Sequence, residues 1–201
     1  VISSIIAVPS SILISKILIP ETEIPQTAGG KGAINLEKES KNVLDAISRG
    51  TSDGLKLAAN VVAMLVAFIS LIALFDHIML STVKISLKDL FAKMFYIVTA
   101  VVGIPEADRS NSAALIGQRL VINEFIAYSD FVKMELAEKS KIIMTYVLAG
   151  FGNFASIGIQ IGGIGAICPE KREMLARLGI KAMLGGLLAN LLNAAIVGLF
   201  L

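Results

Sequence analysis

The chain has 201 residues, of which 55% are hydrophobic and only 17% are charged, and its mean hydropathy is +0.78. A water-soluble domain of this size could not bury so much apolar side chain, so the composition excludes that class and favours an integral membrane protein. The net charge of +2, with no basic stretch interleaved with aromatic residues, argues against nucleic acid as a partner. The single cysteine, Cys168, excludes an internal disulfide.

The amino-terminal quarter contains one predicted span and one predicted surface segment. Residues 1–20 are apolar and are predicted to form a transmembrane helix. Residues 21–56 are predicted to form a cytoplasmic loop and a short interfacial helix, Leu36 to Ser48, whose apolar side chains fall near one face. Because glycine weakens a helix, Gly50 and Gly54 are expected to separate this helix from the next span.

The clearest predicted crossing occupies residues 57–80, where no ionisable side chain occurs from Leu57 to Phe75. Residues 81–105 contain a different pattern. From Leu87 to Val102 apolar residues recur at spacings of three and four with charged residues opposite, which predicts an interfacial helix with its apolar side towards the membrane.

Residues 106–141 contain an apolar stretch, Ala113 to Val132, that Asn123 and Glu124 interrupt at its middle. Two short apolar halves around a polar tip predict a re-entrant helical hairpin rather than a crossing. A carboxylate at membrane depth is costly unless a partner or water meets it, so Glu124 is a candidate site residue. The alternative is a surface loop in which Arg119 is the ion-pair partner of Glu124.

Residues 142–167 are apolar but interrupted by the sequence GFGN at 150–153, which predicts a transmembrane helix broken inside the membrane. Asn153 and Ser156 lie three residues apart and together offer donors and acceptors to a polar ligand. The alternative for both is hydrogen bonding between helices. Phe151 is a candidate for stacking on a planar ring, with simple packing as its alternative.

Residues 168–201 are predicted to form a charged loop, Pro169 to Arg177, and a last transmembrane helix, Gly179 to Leu201. The pair Gly158 and Gly162 forms G-x-x-x-G, which permits close approach of another helix. Three further amides are interpreted as hydrogen-bonding residues between helices: Asn60, Asn190 and Asn193.

Lysine and arginine residues between the predicted spans set the orientation. More of them occur before residue 57 and after residue 167 than between residues 81 and 141, which places the first group in the cytoplasm and the last residue outside. The sequence shows no nucleophile with a matched base and no cluster of metal ligands, so an enzyme is not expected.

Four segments of the chain carry specific motifs. They are GTSDGLKLAANVVAMLVAFISLIAL (Gly50 to Leu74), LIGQRLVINEFIAY (Leu115 to Tyr128), TYVLAGFGNFASIGIQIGGIGAICPEKR (Thr145 to Arg172) and IPETE (Ile19 to Glu23). These runs resemble the concentrative nucleoside transporter family, and the resemblance covers nearly the whole chain. It implies that the chain is the carboxy-terminal half of such a carrier.

The resemblance implies a fold and an assembly. The fold would be an all-α integral membrane transporter with a re-entrant hairpin and a discontinuous transmembrane helix, as the second half of an inverted repeat. The carrier would be a multi-pass homotrimer in the cell membrane that works by an elevator-like shift of a transport domain. Residues 57–80 would then belong to the trimeric scaffold, and residues 81–105 would hold its external helix.

The resemblance also implies a function and a site. The carrier would be a nucleoside symporter driven by sodium or protons, in which Glu124, Asn153 and Ser156 bind the ribose and Phe151 lies near the base. The coupling-ion site would lie in the half that precedes Val1, so neither a cofactor nor a metal site is expected in this chain.

Two other functions remain open from the residues themselves. One is a transporter of another small polar solute on a similar scaffold. The other is a non-transporting membrane scaffold subunit whose helices are held together through their glycines. A ligand-dependent increase in thermal stability separates a carrier from such a scaffold, because only a protein that binds the ligand is stabilised by it.

Overall fold

The computed structural model describes residues 2–22, 24 and 40–201, and this part of the chain is all helical, without a β-strand. The α-helices are α1 Ile2–Leu18, α2 Val43–Thr82, α3 Leu87–Val101, α4 Glu106–Val121, α5 Glu124–Phe131, α6 Glu138–Leu148, α7 Phe154–Ile167 and α8 Arg172–Leu199. A short 3-10 turn, Pro169–Lys171, precedes α8. The predicted all-α class is therefore confirmed for the described residues.

Two of these helices are long and apolar enough to cross a membrane by length and composition: α2, and α8 together with its preceding turn. The helices α1 and α7 are shorter apolar helices. At 40 residues, α2 is about 60 Å long, roughly twice the thickness of the hydrocarbon core of a bilayer. A helix of that length must tilt strongly or extend beyond the membrane surface.

The predicted break between an interfacial helix and the first long crossing is wrong. Helix α2 runs without interruption through Gly50 and Gly54 and begins at Val43, where the side chain of Asn42 accepts a hydrogen bond from the amide of Asp45. Each glycine costs a helix only about 1 kcal/mol, which a long apolar helix can absorb. Residues 25–39, with the predicted loop and the start of the interfacial helix, lie outside the described part.

Two predicted boundaries also moved. Helix α6 begins at Glu138, inside the charged segment assigned to the hairpin, and α8 begins at Arg172, inside the predicted charged loop. Charged residues such as Lys, Arg and Glu are good helix formers, so their presence marks the end of an apolar segment but not the end of a helix.

The two predicted interruptions are confirmed as breaks in helical structure. Helix α4 ends at Val121 and α5 begins at Glu124, and the two contact each other around the intervening turn. The side-chain amide of Gln118 donates to the carboxylate of Asp130 across the pair, at 2.7 Å. The second break separates α6 from α7 at residues 149–153. Insertion of the hairpin into a membrane stays a prediction.

The buried core lies among α3, α4, α6, α7 and α8. Helices α3 and α4 approach so closely that a Cβ atom on Gly117 would lie 2.8 Å from the carbonyl oxygen of Lys88. The fully buried apolar side chains of this core include Leu115, Ile116, Ile143, Met144, Val147 and Leu148. The core therefore surrounds both interrupted helices.

The remaining helices pack against this core from outside. The G-x-x-x-G prediction is confirmed, because a Cβ atom on Gly158 would lie 2.6 Å from the ring of Phe68 on α2, and one on Gly162 would lie 3.0 Å from a backbone oxygen of α2. Helix α1 packs on α8, where the hydroxyl of Ser10 donates to the buried amide of Asn193. The amide of Asn190 bonds within its own helix.

Candidate functional site

The tip of the first interrupted pair is built by a helix cap. The side-chain oxygen of Asn123 accepts a hydrogen bond from the amide of Ile126 at 2.9 Å and so starts α5. Glu124 is consequently the first residue of α5, where the positive end of the helix dipole favours a carboxylate. Glu124 is partly buried, not a residue of an open surface loop.

The start of α7 is built in the same way. The side-chain oxygen of Asn153 accepts from the backbone N–H of Ser156 at 2.8 Å. The hydroxyl oxygen of Ser156 in turn accepts from the backbone N–H of Asn153 at 3.3 Å. These reciprocal bonds form a capping box. The cap fixes the side chain of Asn153, which is only 1% exposed.

The two caps meet through one hydrogen bond. The amide nitrogen of Asn153 donates to the carboxylate of Glu124 at 2.8 Å, so the hairpin tip and the break in the second helix lie in direct contact. Within the described residues the carboxylate makes no second hydrogen bond, which leaves its other oxygen free to accept from a ligand.

The other two predicted site residues differ in accessibility. Phe151 lies within the break and is 51% exposed, so its ring has a free face. Ser156 has no exposed surface, and its hydroxyl donates to the carbonyl of Asn153 at 2.6 Å. In this conformation Ser156 holds Asn153 in place, and direct contact of Ser156 with a ligand stays a prediction.

Arg119 has a different role from the one that the alternative interpretation gave it. No ion pair within 4 Å joins Arg119 to Glu124 in the described structure. The guanidinium of Arg119 is completely buried and donates to two carbonyl oxygens, those of Val147 at 2.6 Å and Gly150 at 2.8 Å. The sequence signal for this contact is a basic residue inside an apolar run, five residues before Glu124.

The two charges complement the ends of the broken helix. Arg119 lies at the carboxyl end of α6, whose last carbonyls lack partners within the helix, and Glu124 lies at the amino end of α7. A cation is favoured at the first position and an anion at the second, because helix dipoles place partial negative and positive charges there. The hairpin thus supplies both groups that the break requires.

Further bonds fasten the hairpin along α6. The carboxylate of Asp108, at the start of α4, accepts from the amide of Ala137 at 3.0 Å and from the hydroxyl of Ser140. The hydroxyl of Tyr128 on α5 donates to the carbonyl of Thr145 at 2.7 Å. Bonds at the base, the middle and the tip therefore make the hairpin and the broken helix one connected unit.

Within the described residues, other chemistry-bearing groups form no comparable site. No group of three or more His, Cys, Asp or Glu side chains that could hold a metal ion occurs in the described part of the chain. The thiol of Cys168, between α7 and the last helix, donates to Glu170, and this bond raises the pKa of the thiol.

Comparisons with known proteins agree with this architecture. Residues 1–198 match the family described as the carboxy terminus of Na+-dependent nucleoside transporters. The chain is 40% identical to the uncharacterized transporter YutK of Bacillus subtilis, over 99% of this chain and 51% of YutK. It is 33% identical to the nucleoside permease NupC of Helicobacter pylori, over 99% of this chain and 50% of NupC. The chain spans about half the length of these relatives.

Solved structures give the same result. A variant of CNTnw in an outward-facing state superposes with a TM-score of 0.87 at 36% identity, over 98% of this chain and 49% of CNTnw. CNTnw in an inward-facing substrate-bound state superposes with a TM-score of 0.69 at 38% identity, over 96% and 48%. The chain belongs to the concentrative nucleoside transporter family and corresponds to its carboxy-terminal half.

Proposed function

We propose that this chain forms part of an ion-coupled nucleoside symporter in the cell membrane and that Glu124 and Asn153 bind the ribose of the substrate. The observation that carries this proposal is the 2.8 Å hydrogen bond between these two side chains, formed where two interrupted helices meet. The matched family is one of nucleoside transporters, which supports the substrate class.

The chemistry of the pair suits a sugar. A carboxylate with a free oxygen accepts hydrogen bonds from hydroxyl groups. The side-chain amide of Asn153 is 1% exposed and donates to Glu124 in this conformation, and it would supply its second N–H to the ligand once the site opens. Two adjacent hydroxyls, as on ribose, can therefore form more hydrogen bonds with this pair than a ligand with one hydroxyl or an apolar ring. The half-exposed ring of Phe151 lies two residues from Asn153 and offers a stacking surface to a nucleobase.

Ser156 contributes to this site by positioning. Its capping bonds hold the side-chain amide of Asn153 towards Glu124. We propose that the hydroxyl of Ser156 contacts the ribose only in a conformation in which it no longer donates to the Asn153 carbonyl. Either sodium or protons would drive uptake, through a coupling-ion site outside the chain described here.

A movement of the connected unit would give alternating access. The chain superposes better on an outward-facing relative than on an inward-facing one, at nearly equal coverage, which supports two arrangements of the same helices. We propose that the hairpin, α6 and α7 shift together in an elevator-like movement against a scaffold that includes α2. The exposed apolar surface of α2 fits a role in a homotrimeric scaffold.

The test is uptake of labelled uridine and adenosine by the carrier of full family length. Glu124→Gln keeps the size of the side chain and removes its charge, and we expect uptake to fall at least about tenfold because hydrogen bonds to charged groups are the stronger ones. Glu135→Gln, at an exposed carboxylate of the same region, is the matched control and should retain uptake.

Unchanged nucleoside uptake in Glu124→Gln would refute the proposed site. A competition panel tests the substrate class, since nucleosides should inhibit uptake of labelled uridine while nucleobases and dicarboxylates should not. If only another polar solute competes, the chain serves a different cargo on the same scaffold. A protein that no solute stabilises against heat would support the non-transporting subunit instead.

A further inference from the structure

The most unusual group outside the proposed contacts with substrate is the buried cation on α4. Arg119 has no exposed surface, and besides its two bonds to carbonyl oxygens its Nε atom has no hydrogen-bond partner. Removing a guanidinium from water costs several kcal/mol, and neutral carbonyls compensate only part of that cost. Stability alone therefore does not explain this residue.

The position of Arg119 relative to the site explains it better. Its bonds reach Val147, in the last turn of α6, and Gly150, the second residue after that helix ends. Gly150 is three residues before Asn153. When Arg119 holds the carbonyl of Gly150, it therefore limits the positions that the side chain of Asn153 can take.

Two bonds, not one, therefore join the hairpin to the break. Arg119 and Glu124 are five residues apart on the hairpin, and they bind Gly150 and Asn153, which are three residues apart in the break. The bond from Glu124 alone would hold Asn153 but not the carbonyl of Gly150, three residues earlier in the break. Two bonds define their relative orientation and hold the carboxylate and the amide ready before a ligand arrives.

We propose that Arg119 is a positioning residue for nucleoside binding, which holds the end of α6 so that Asn153 and Glu124 face the ligand in a fixed geometry. This inference rests on the proposed function. It assigns to Arg119 no contact with the substrate, and the two carbonyl bonds carry the positioning.

The test compares three variants of the full-length carrier in binding and in heat stability. Arg119→Met keeps much of the volume and removes every donor, and we expect the Kd for uridine to rise by about 10- to 100-fold, the effect of losing strong charged hydrogen bonds. Arg119→Lys keeps the charge but cannot bond both carbonyls in the same planar geometry, so its Kd should lie between those of Arg119→Met and the unmodified protein.

Arg109→Met is the matched control. Arg109 also lies on α4 and also donates to a backbone carbonyl, that of Ile104 at 3.1 Å, but ten residues from Arg119 along the helix. We expect its Kd to stay within about twofold of the unmodified value, since the bond lies far from the break.

Heat stability separates positioning from a merely structural role. Arg119→Met removes an incompletely paired buried charge but also leaves the carbonyls of Val147 and Gly150 without this donor. These two effects oppose each other, so the Tm of the unliganded variant should change by only a few degrees while its affinity for uridine falls. A lower Tm with normal affinity in the folded fraction would overturn the proposal. Equal Kd values for Arg119→Lys and the unmodified protein would also overturn the proposal. This comparison remains available if Arg119→Met does not fold.

The outcomes also separate this inference from the function on which it rests. If the unmodified carrier binds no nucleoside, the proposed function fails. If the unmodified carrier binds uridine and both Arg119 variants bind it equally well, only the positioning role fails.

Discussion

Helix α2 and the hairpin with its broken helix are both rich in apolar residues, but they place their polar groups differently. Helix α2 has no buried residue in the described chain, and side chains such as Val62, Val66 and Ile69 point outwards. The hairpin and the broken helix bury Arg119, which donates to the carbonyl of Gly150, and Asn153, which donates to the carboxylate of Glu124. The comparison shows that hydrophobic composition marks a membrane helix, whereas internal satisfaction of buried polar groups marks the site.

Glycines show the same contrast at the level of backbone contact. A Cβ atom on Gly117 would lie 2.8 Å from the carbonyl oxygen of Lys88 and 3.0 Å from the amide of Ala92, both backbone atoms of α3. A Cβ atom on Gly54 of α2 would meet nothing within 4 Å. The contact between α3 and α4 therefore requires glycine at position 117, whereas α2 around Gly54 has room for a side chain.

The largest expected effect comes from Gly117→Ala. Because backbone atoms cannot rotate away, α3 and α4 must separate, and overpacking of this kind costs about 1–3 kcal/mol. We expect a clear fall in the Tm of the detergent-solubilised carrier and reduced uridine uptake, since α4 carries Arg119.

A second helical glycine provides the control for this variant. A Cβ atom on Gly163 would make ordinary contacts, 3.8 Å from a methyl group of Val61, so Gly163→Ala should preserve the Tm. If Gly117→Ala also melts at the unmodified temperature, α3 and α4 are not held as closely as the structure shows.

The second prediction uses two asparagines that cap helices in the same way. Asn153→Asp keeps the oxygen that accepts from Ser156, since aspartate and asparagine are comparable caps, but it turns the donor towards Glu124 into a second negative charge. We expect uridine affinity to fall about tenfold or more, with a smaller change in Tm.

Asn42→Asp is the corresponding control. Asn42 caps α2 by accepting from the amide of Asp45 at 2.9 Å, and it is exposed and remote from the hairpin. This variant should keep both affinity and Tm. Normal uridine affinity in Asn153→Asp would show that the amide donor is not needed at the site.

The sequence predicted the local breaks well because their signals are local. Asn123 before Glu124 and the GFGN segment at 150–153 carry cap and glycine signals within a few residues, and the structure has breaks at both places. Only the family resemblance implies that Glu124 and Asn153 belong to one site, because residues 29 apart along the chain meet through tertiary packing that local sequence does not reveal.

What the sequence did not predict depends on contacts made at a distance. The bonds from Arg119 join residues 28 and 31 positions apart, and a basic residue in an apolar run does not reveal whether it binds a carboxylate or a helix end. The continuity of α2 through Gly54 was missed for a different reason. Glycine lowers helix propensity, but propensity is a weak guide when the flanking residues form a long helix.

The smallest expected effect comes from Gly54→Ala, and it tests whether the face of α2 around Gly54 is as free of contacts as the described chain shows. With open space around the new methyl group, the substitution should raise stability by roughly 0.5–1 kcal/mol, because alanine loses less backbone entropy than glycine in a helix. Gly50→Ala, where a Cβ atom also meets nothing within 4 Å, should act in the same direction. The Tm of the full-length carrier in detergent is the measurement. A lower Tm for either variant would mean that another chain or the other half of the carrier packs against this face of α2. The exposure of α2 that distinguishes it from the hairpin would then not hold in the assembled carrier.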